Sequence, residues 1–260
     1  MPGCSERDVK DDLAKETAGS VDLRQMTEAR VLLGRFGAGL PTRAAQLFLL
    51  DHARARQAVW SAVDWASLRA NLADLSPGTV DVESQAGDRG TYIRRPDLGR
   101  KLSPESAERL AGIHPGCDVV IVVADGLSAS AININAVPLV QAIVERLSSR
   151  QLSIAPLILA SLARVALGDP VAEIIRARVS IVLIGERPGL SSADSLGAYM
   201  TCLPKAGTPD SRRNCISNIR NGGLSADNAA DAVVSLVLDM LKAGTSGVAL
   251  KDAVARLPTS

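Results

Sequence analysis

Aromatic side chains are scarce in this sequence: Phe, Trp and Tyr occur only twice each among 260 residues. Proteins that bind single-stranded nucleic acid stack bases on aromatic side chains, so this scarcity argues against that function. The 29 basic residues are balanced by 28 acidic ones, and the basic surface typical of nucleic-acid binding is not indicated. We therefore expect no nucleic-acid partner, and an aliphatic core of the kind found in parallel sheets covered by helices.

Metal-ligating residues are few and scattered. The four cysteines include no Cys-x-x-Cys pair, and the two histidines, His52 and His114, stand far apart in the chain. We therefore expect no metal site, and we expect the cysteines to be free thiols in a reducing compartment.

Long apolar runs are also missing. The longest, such as 119–124 and 154–163, fall well short of the roughly 20 residues that a membrane-spanning helix needs. The first residues are charged and contain no apolar signal-peptide core. The expectation is a soluble, cytoplasmic protein with no membrane partner.

Several catalytic motifs are absent. The chain has neither a Gly-Lys-Ser/Thr P-loop nor a Gly-x-Ser-x-Gly nucleophile elbow. His114 precedes Pro115 and Gly116 in a predicted turn, which leaves a Ser-His-Asp triad without a suitable histidine. We therefore predict no catalytic residue in this chain.

Periodicity and composition divide the chain into three parts. Residues 1–20 are polar and predict an N-terminal arm. Residues 21–78 carry apolar side chains at helical spacing and end at a Ser-Pro-Gly break, which predicts a small helical domain. Residues 79–260 alternate strands with helices, which predicts a parallel α/β sheet domain covered on both faces.

Continuous apolar runs mark the buried strands of that sheet. The runs are 118–124, 154–159 and 179–184. Further strands are predicted near residue 80 and at 199–203 and 215–219. Helices are predicted after Ser103 and at 136–147, 170–177 and 229–241.

A charged loop containing Pro and Gly, Gly185 to Leu190, follows the third apolar run directly. Ligands bind at the carboxyl ends of strands in parallel sheets, so this loop predicts a binding site. From position alone, Glu186 has two interpretations. It pairs structurally with Arg187 or with the end of a helix, or its carboxylate accepts N–H bonds from a ligand. Cys215 and Val165 read by themselves as small core residues.

This loop and the segment from Arg213 to Arg220 together resemble the small (light) subunit of ethanolamine ammonia-lyase. The resemblance runs in order from about residue 30 to the C-terminus. It includes Gly34-Arg35-Phe36-Gly37, Asp51-His52-Ala53-Arg54-Ala55-Arg56, Tyr92-Ile93-Arg94-Arg95-Pro96-Asp97-Leu98-Gly99-Arg100 and Asp125-Gly126-Leu127-Ser128.

The resemblance implies a hetero-oligomeric lyase that converts ethanolamine to acetaldehyde and ammonia by the radical chemistry of adenosylcobalamin. It implies a Rossmann-like sheet domain of the cobalamin-binding type, in which Val165, Glu186 and Cys215 contact the cofactor. It also implies a large subunit, a TIM barrel that holds substrate and the catalytic residues. The Asp-x-His-x-x-Gly motif of proteins that replace the lower cobalt ligand is absent, in agreement with the base-on cofactor of this family.

In some members of that family a longer N-terminal extension directs the enzyme to a bacterial microcompartment. The first thirty residues here do not resemble it, so the cytoplasm is the expected location and encapsulation stays open.

An alternative function is a non-catalytic α/β module that binds a small ligand or nucleotide without a lyase partner. For two further sequence motifs, a structural and a functional interpretation both stay open. The segment Asp125 to Ser128 fits a capped strand-to-helix turn as well as a ligand or partner contact. The segment Arg94 to Arg100 fits a solvated loop as well as a surface that faces a partner.

Overall fold

A mixed six-stranded sheet with helices on both faces forms the larger part of the molecule. The computed structural model describes residues 37–75 and 78–255, together with a few positions between 23 and 34. By their internal contacts the residues divide into two units, 1–50 and 51–260, and the sheet belongs to the second.

The sheet pairs four parallel strands with an antiparallel extension. Its strands are β1 Thr79–Glu83, β2 Cys117–Ala124, β3 Leu157–Ser161, β4 Ala177–Gly185, β5 Leu196–Cys202 and β6 Arg213–Ile219. Their order across the sheet is β1-β3-β2-β4-β5-β6. The first four pair in parallel, whereas β5 runs antiparallel to both of its neighbours.

The prediction of a parallel sheet is therefore correct for β1 to β4 and wrong for β5. A parallel return needs a crossover connection of a dozen or more residues, usually a helix. The connection from β4 to β5, residues 186–195, contains no helix. The chain turns back directly, and the two strands pair antiparallel. The Rossmann-like classification stays a prediction.

The described residues contain eight α-helices. They are α1 Thr42–Trp60, α2 Trp65–Leu72, α3 Arg89–Arg94, α4 Pro104–Ala111, α5 Ala129–Ser148, α6 Gly168–Ile175, α7 Ala226–Ala243 and α8 Leu250–Ala255. The helix predicted after Ser103 is confirmed: the Ser103 hydroxyl accepts the Ser106 amide, and Pro104 occupies the first helical position. The sequence predicts no helix at α3, which begins at an Asp88 cap.

Side chains of the central strands alternate between two apolar layers. Val119, Ile121 and Val123 of β2 pack with α5 and α7 on one face. The intervening Val120 and Val122 pack with α4 and α6 on the other. Burial of each such side chain contributes about 1.5–3 kcal/mol, so these strands are the most strongly anchored part of the fold.

The N-terminal helices do not confirm a separate helical domain over 21–78. In α1 only Ala58 is buried. In α2, Leu68 and Leu72 belong to the same core as the sheet. The division into 1–20, 21–78 and 79–260 stays a prediction, and the predicted arm at 1–20 lies outside the described residues.

Candidate functional site

A cleft opens at the carboxyl ends of the parallel strands. The adjacent strands β2 and β3 are followed by helices on opposite faces, since α5 packs in one layer and α6 in the other. Because the connections after β2 and β3 run to opposite faces of the sheet, they leave a crevice between them. The resulting cavity has a volume of about 640 Å³. Loops after β2, β3 and β4 form its rim.

One wall of the cleft is the sheet itself. Side chains of β5 and β6 on the side of α4 and α6 line the cavity. Tyr199 of β5 and Cys215 of β6 are directly paired there. The sequence predicted strands here but not the antiparallel direction of β5, and both strands contribute side chains to the binding surface.

The structure brings all three predicted cofactor residues into this cleft. Val165 begins a 3-10 turn four residues after β3, Glu186 is the first residue after β4, and Cys215 lies within β6. Val165 is half-buried and also packs on the core, whereas Cys215 is exposed, so reading it as a core residue is wrong. Their contact with a cofactor stays a prediction.

The Glu186 carboxylate is held in place on one oxygen only. Oε2 accepts the Ser195 hydroxyl at 2.5 Å and the Asn218 amide at 3.3 Å. Oε1 accepts no hydrogen bond from the described residues, and no ion pair with Arg187 forms among them. A Cβ at Gly197 would lie 2.8 Å from Oε1, so glycine is needed there to leave room for the carboxylate. Glu186 is therefore a positioned acceptor with one oxygen available.

Cys215 and Tyr199 lie directly opposite each other on adjacent strands beside this carboxylate. Burial raises the pKa of the Cys215 thiol and the negative charge of Glu186 adds to the rise, while the Tyr199 hydroxyl opposes it. Burial also raises the pKa of Tyr199, and the neighbouring Cys215 acts in the same direction. Both groups are therefore neutral at physiological pH, and they give the wall a mostly uncharged surface.

Arg164 is a cleft residue that the sequence did not single out. Its guanidinium lies 4.2 Å from the centroid of the Tyr92 ring, and its Nη2 donates to the Tyr92 carbonyl at 3.2 Å. Its Nε is buried and has no hydrogen-bond acceptor. A Cβ at Gly99 would lie 2.9 Å from the Tyr92 ring. Tyr92 and Gly99 thus support the rim, whereas residues 94–97 are exposed, as the solvated-loop interpretation expects; a partner contact of this segment stays a prediction.

The segment Asp125 to Ser128 is mainly a structural turn. Asp125 binds Arg89 at 3.0 Å through one oxygen and the Ala163 amide at 3.0 Å through the other. Burial raises the pKa of Asp125, which the Ala163 amide and Arg89 oppose. Ser128 caps α5 by accepting the Ala131 amide at 3.1 Å. The turn interpretation is therefore correct for both end residues of the motif.

Gly126 and Gly185 determine how closely the ends of β2 and β4 approach each other. Gly126 adopts a φ of +56°, and a Cβ there would lie 2.1 Å from the Gly185 carbonyl oxygen. Gly126 and Leu127 line the cleft itself. Gly126 and Leu127 thus contribute to the site, whereas Asp125 and Ser128 stabilise the turn.

A second cavity of about 810 Å³ adjoins the first. Arg100, Ala166 and Asp210 line both cavities, so the two are continuous. Leu102 and Ile174 contribute to the mostly apolar walls of the second one. Together the cavities form an elongated groove with charged residues where they meet.

Two negative findings apply to the part of the chain that the structure describes. No group of three or more His, Cys, Asp or Glu side chains is placed to hold a metal ion. No single helix combines the length and apolar character of a membrane crossing; the bent pair α7 and 247–255 meets that test by length and composition only.

Comparison with known proteins gives one consistent family. The family model of the ethanolamine ammonia-lyase light chain (EutC) matches residues 18–251. The ethanolamine ammonia-lyase small subunit of Rhodopseudomonas palustris is 50% identical over 232 residues, which cover 89% of each chain. The small subunit from Bradyrhizobium diazoefficiens is 48% identical over 90% of each chain. That from Pseudomonas syringae is 46% identical over 89% of this chain and 82% of its own.

Proposed function

Because this chain belongs to the family of ethanolamine ammonia-lyase small subunits, we propose that its cleft binds one side of adenosylcobalamin, base-on, at an interface with the large subunit. The assembled enzyme converts ethanolamine to acetaldehyde and ammonia. The observation that carries the proposal is the convergence of Val165, Glu186 and Cys215 on one open cleft from three separate elements.

The residues of the cleft fit this cofactor chemically. A corrin ring carries peripheral amide groups, and the available Glu186 Oε1 is suited to accept their N–H bonds with the strength of a charged acceptor. Arg164 Nε is a buried donor without an acceptor. Neutral Cys215 and Tyr199 offer a flat wall beside them.

The open shape of the cleft supports a shared site. The cavity of about 640 Å³ and the adjoining one of about 810 Å³ are both open to solvent. A cofactor seated in them keeps one side available for another surface. The large subunit is the partner that the small-subunit family implies.

Binding and orientation are the tasks of this chain in that division of labour. The cofactor supplies the radical chemistry, and protein groups supply binding, orientation and electrostatics. Cys215 lines the wall of the cleft, and in this proposal its thiol packs against the ligand. Substrate and catalytic residues belong to the large subunit in this proposal, and the cytoplasm is the proposed location.

Reconstitution tests the proposal directly. The chain is co-expressed with the large subunit, titrated with adenosylcobalamin by absorbance, and assayed for acetaldehyde release from ethanolamine. The complex should bind cobalamin and release acetaldehyde, and the small chain with cofactor should not. Deamination by the small chain alone would contradict this assignment of roles.

Alkylation of cysteines then locates the ligand. Bound cobalamin should protect Cys215 from iodoacetamide in the complex, as measured by peptide mass mapping. Cys117, half-buried at the far end of β2, serves as the internal control. Protection by the large subunit alone is subtracted by comparing the complex with and without cobalamin. If cobalamin binds and Cys215 reacts at an unchanged rate, the ligand lies elsewhere.

A further inference from the structure

A buried arginine lies where the two cavities meet. The side chain of Arg213 is only 4% exposed, and that of its partner Asp169 is 1% exposed. The guanidinium binds both carboxylate oxygens of Asp169, each at 2.7 Å. Asp169 lies in the first turn of α6, so this ion pair joins the start of β6 to that helix.

Two other hydrogen bonds of Arg213 reach the loop that connects β5 to β6, and a third reaches β5 itself. Its Nη2 donates to the Thr208 carbonyl at 2.8 Å, and its Nε donates to Asp210 at 3.2 Å. Its Nη1 also donates to the Thr201 hydroxyl at 3.1 Å. Every guanidinium nitrogen thus has an acceptor within the chain. Arg213 is occupied with holding its neighbours and has no nitrogen left for a ligand.

These neighbours form opposing walls of the second cavity. Residues 206–210 of the loop line one side, and Pro170 and Ile174 of α6 line another. A second tether joins the same walls, because Glu173 of α6 accepts the Ala206 amide at 2.9 Å. The spacing between the walls therefore depends on the bonds that Arg213 makes together with this Glu173 contact.

Asp210 extends the connection to a third wall. It lies between Arg213 and Arg100, whose Nη2 is 3.8 Å from its carboxylate. The charges thus alternate from Asp169 through Arg213 and Asp210 to Arg100. Asp210 and Arg100 line both cavities, so this row of charges runs along their junction.

We propose that Arg213, paired with Asp169, is a positioning residue that holds the loop 203–212 against α6 and preforms the groove for its ligand. The inference rests on the proposed function for the identity of that ligand, adenosylcobalamin. Its physical basis is preorganisation: a loop that is already in place need not be ordered when the ligand binds.

The decisive variant removes both charges of the Asp169–Arg213 pair, so that no unpaired charge stays buried. Arg213→Met alone would leave the buried Asp169 carboxylate without a partner, which is strongly destabilising. The double variant Asp169→Leu/Arg213→Met replaces both charges by apolar side chains of similar size, a change that buried ion pairs often tolerate. It also removes the bonds to Thr208 and Asp210. The matched control is Asp231→Leu/Arg146→Met, which removes an ion pair between α5 and α7 on the other face of the sheet.

Hydrogen exchange and cofactor titration are measured in the complex with the large subunit. Without cobalamin, the amides of 203–212 should exchange faster in the double variant than in the parent or the control. If the loop then occupies its competent arrangement in one molecule in ten, the dissociation constant for cobalamin rises about tenfold. Melting temperature reports folding separately.

Each outcome decides a different question. A parent complex that does not bind cobalamin overturns the proposed function. A parent complex that binds, with unchanged loop exchange or unchanged affinity in the double variant, overturns the role of Arg213. If the double variant does not fold, Arg213→Lys replaces it, because lysine keeps a positive charge beside Asp169 but cannot reproduce the fork of bonds to Thr208 and Asp210. Faster loop exchange with weaker cobalamin binding then supports the role, and an unchanged loop overturns it.

Discussion

Replacement of Glu186 by Gln tests the most specific feature of the cleft. The change preserves the shape of the side chain and removes its charge. Gln can still accept the Ser195 hydroxyl with its carbonyl oxygen, which now occupies the place of Oε2. Its NH₂ group then replaces Oε1, so a donor stands where the cofactor amides need an acceptor.

The expected loss is that of one charged hydrogen bond, about 1.5–3 kcal/mol of binding free energy. Since 1.4 kcal/mol corresponds to a factor of ten, the dissociation constant for cobalamin should rise about 10- to 150-fold. Folding should change little, because the bond to Ser195 is retained and Glu186 lies in a loop.

The assay is an absorbance titration of the assembled complex with cobalamin, with melting temperature measured in parallel. Glu145→Gln, an exposed glutamate on α5, is the matched control for loss of one negative charge. A dissociation constant for Glu186→Gln equal to that of the control would refute the assignment of Oε1 as a ligand acceptor. A fall in melting temperature without loss of affinity would show that the carboxylate serves the fold.

Three further predictions concern the cleft. Cys215→Ala should weaken cobalamin binding more than it lowers the melting temperature; the reverse order would make Cys215 structural. In the free chain, the rate of Cys215 alkylation by iodoacetamide should reach half its maximum at a pH above 9.0, the ordinary pKa of a thiol. Glu186→Gln should shift this midpoint to lower pH because a negative charge is removed; a midpoint below pH 9.0 in the parent contradicts the prediction. Gly126→Ala should lower the free energy of unfolding by more than about 2 kcal/mol, since a left-handed backbone and a clash with the Gly185 carbonyl act together. Gly87→Ala, with φ +73° and no atom within 4 Å of a new Cβ, isolates the backbone contribution, and equal losses in both variants would exclude the clash.

The strands of the core were predictable because apolar runs carry a strong local signal. The runs at 118–124 and 179–184 coincide closely with β2 and β4. The run at 154–159 was placed too early, since β3 begins at Leu157. Pro156 has no N–H to donate to a ladder, and Ile154 forms only an isolated bridge with Val119.

Helix boundaries and strand directions were less accessible. The helix predicted at 136–147 begins at Ala129, because the Ser128 cap and burial of Ile132 outweigh the weak helical propensity of its first turns. The direction of β5 follows from the absence of a helix between β4 and β5, a connection that the sequence left undefined.

The residues of the candidate site also differ in whether the sequence could predict them. Glu186 is recognisable from the sequence because a charged loop directly follows a buried strand, and the end of such a strand is a binding edge wherever the sheet is parallel. Val165 and Cys215 carry no comparable local signal, and only the family resemblance pointed to them. The roles of Tyr199, Arg164 and Arg213 emerge from tertiary structure alone. They depend on strand register and on contacts between residues far apart in the chain, and a shift of one residue in that register would turn Cys215 away from the cleft.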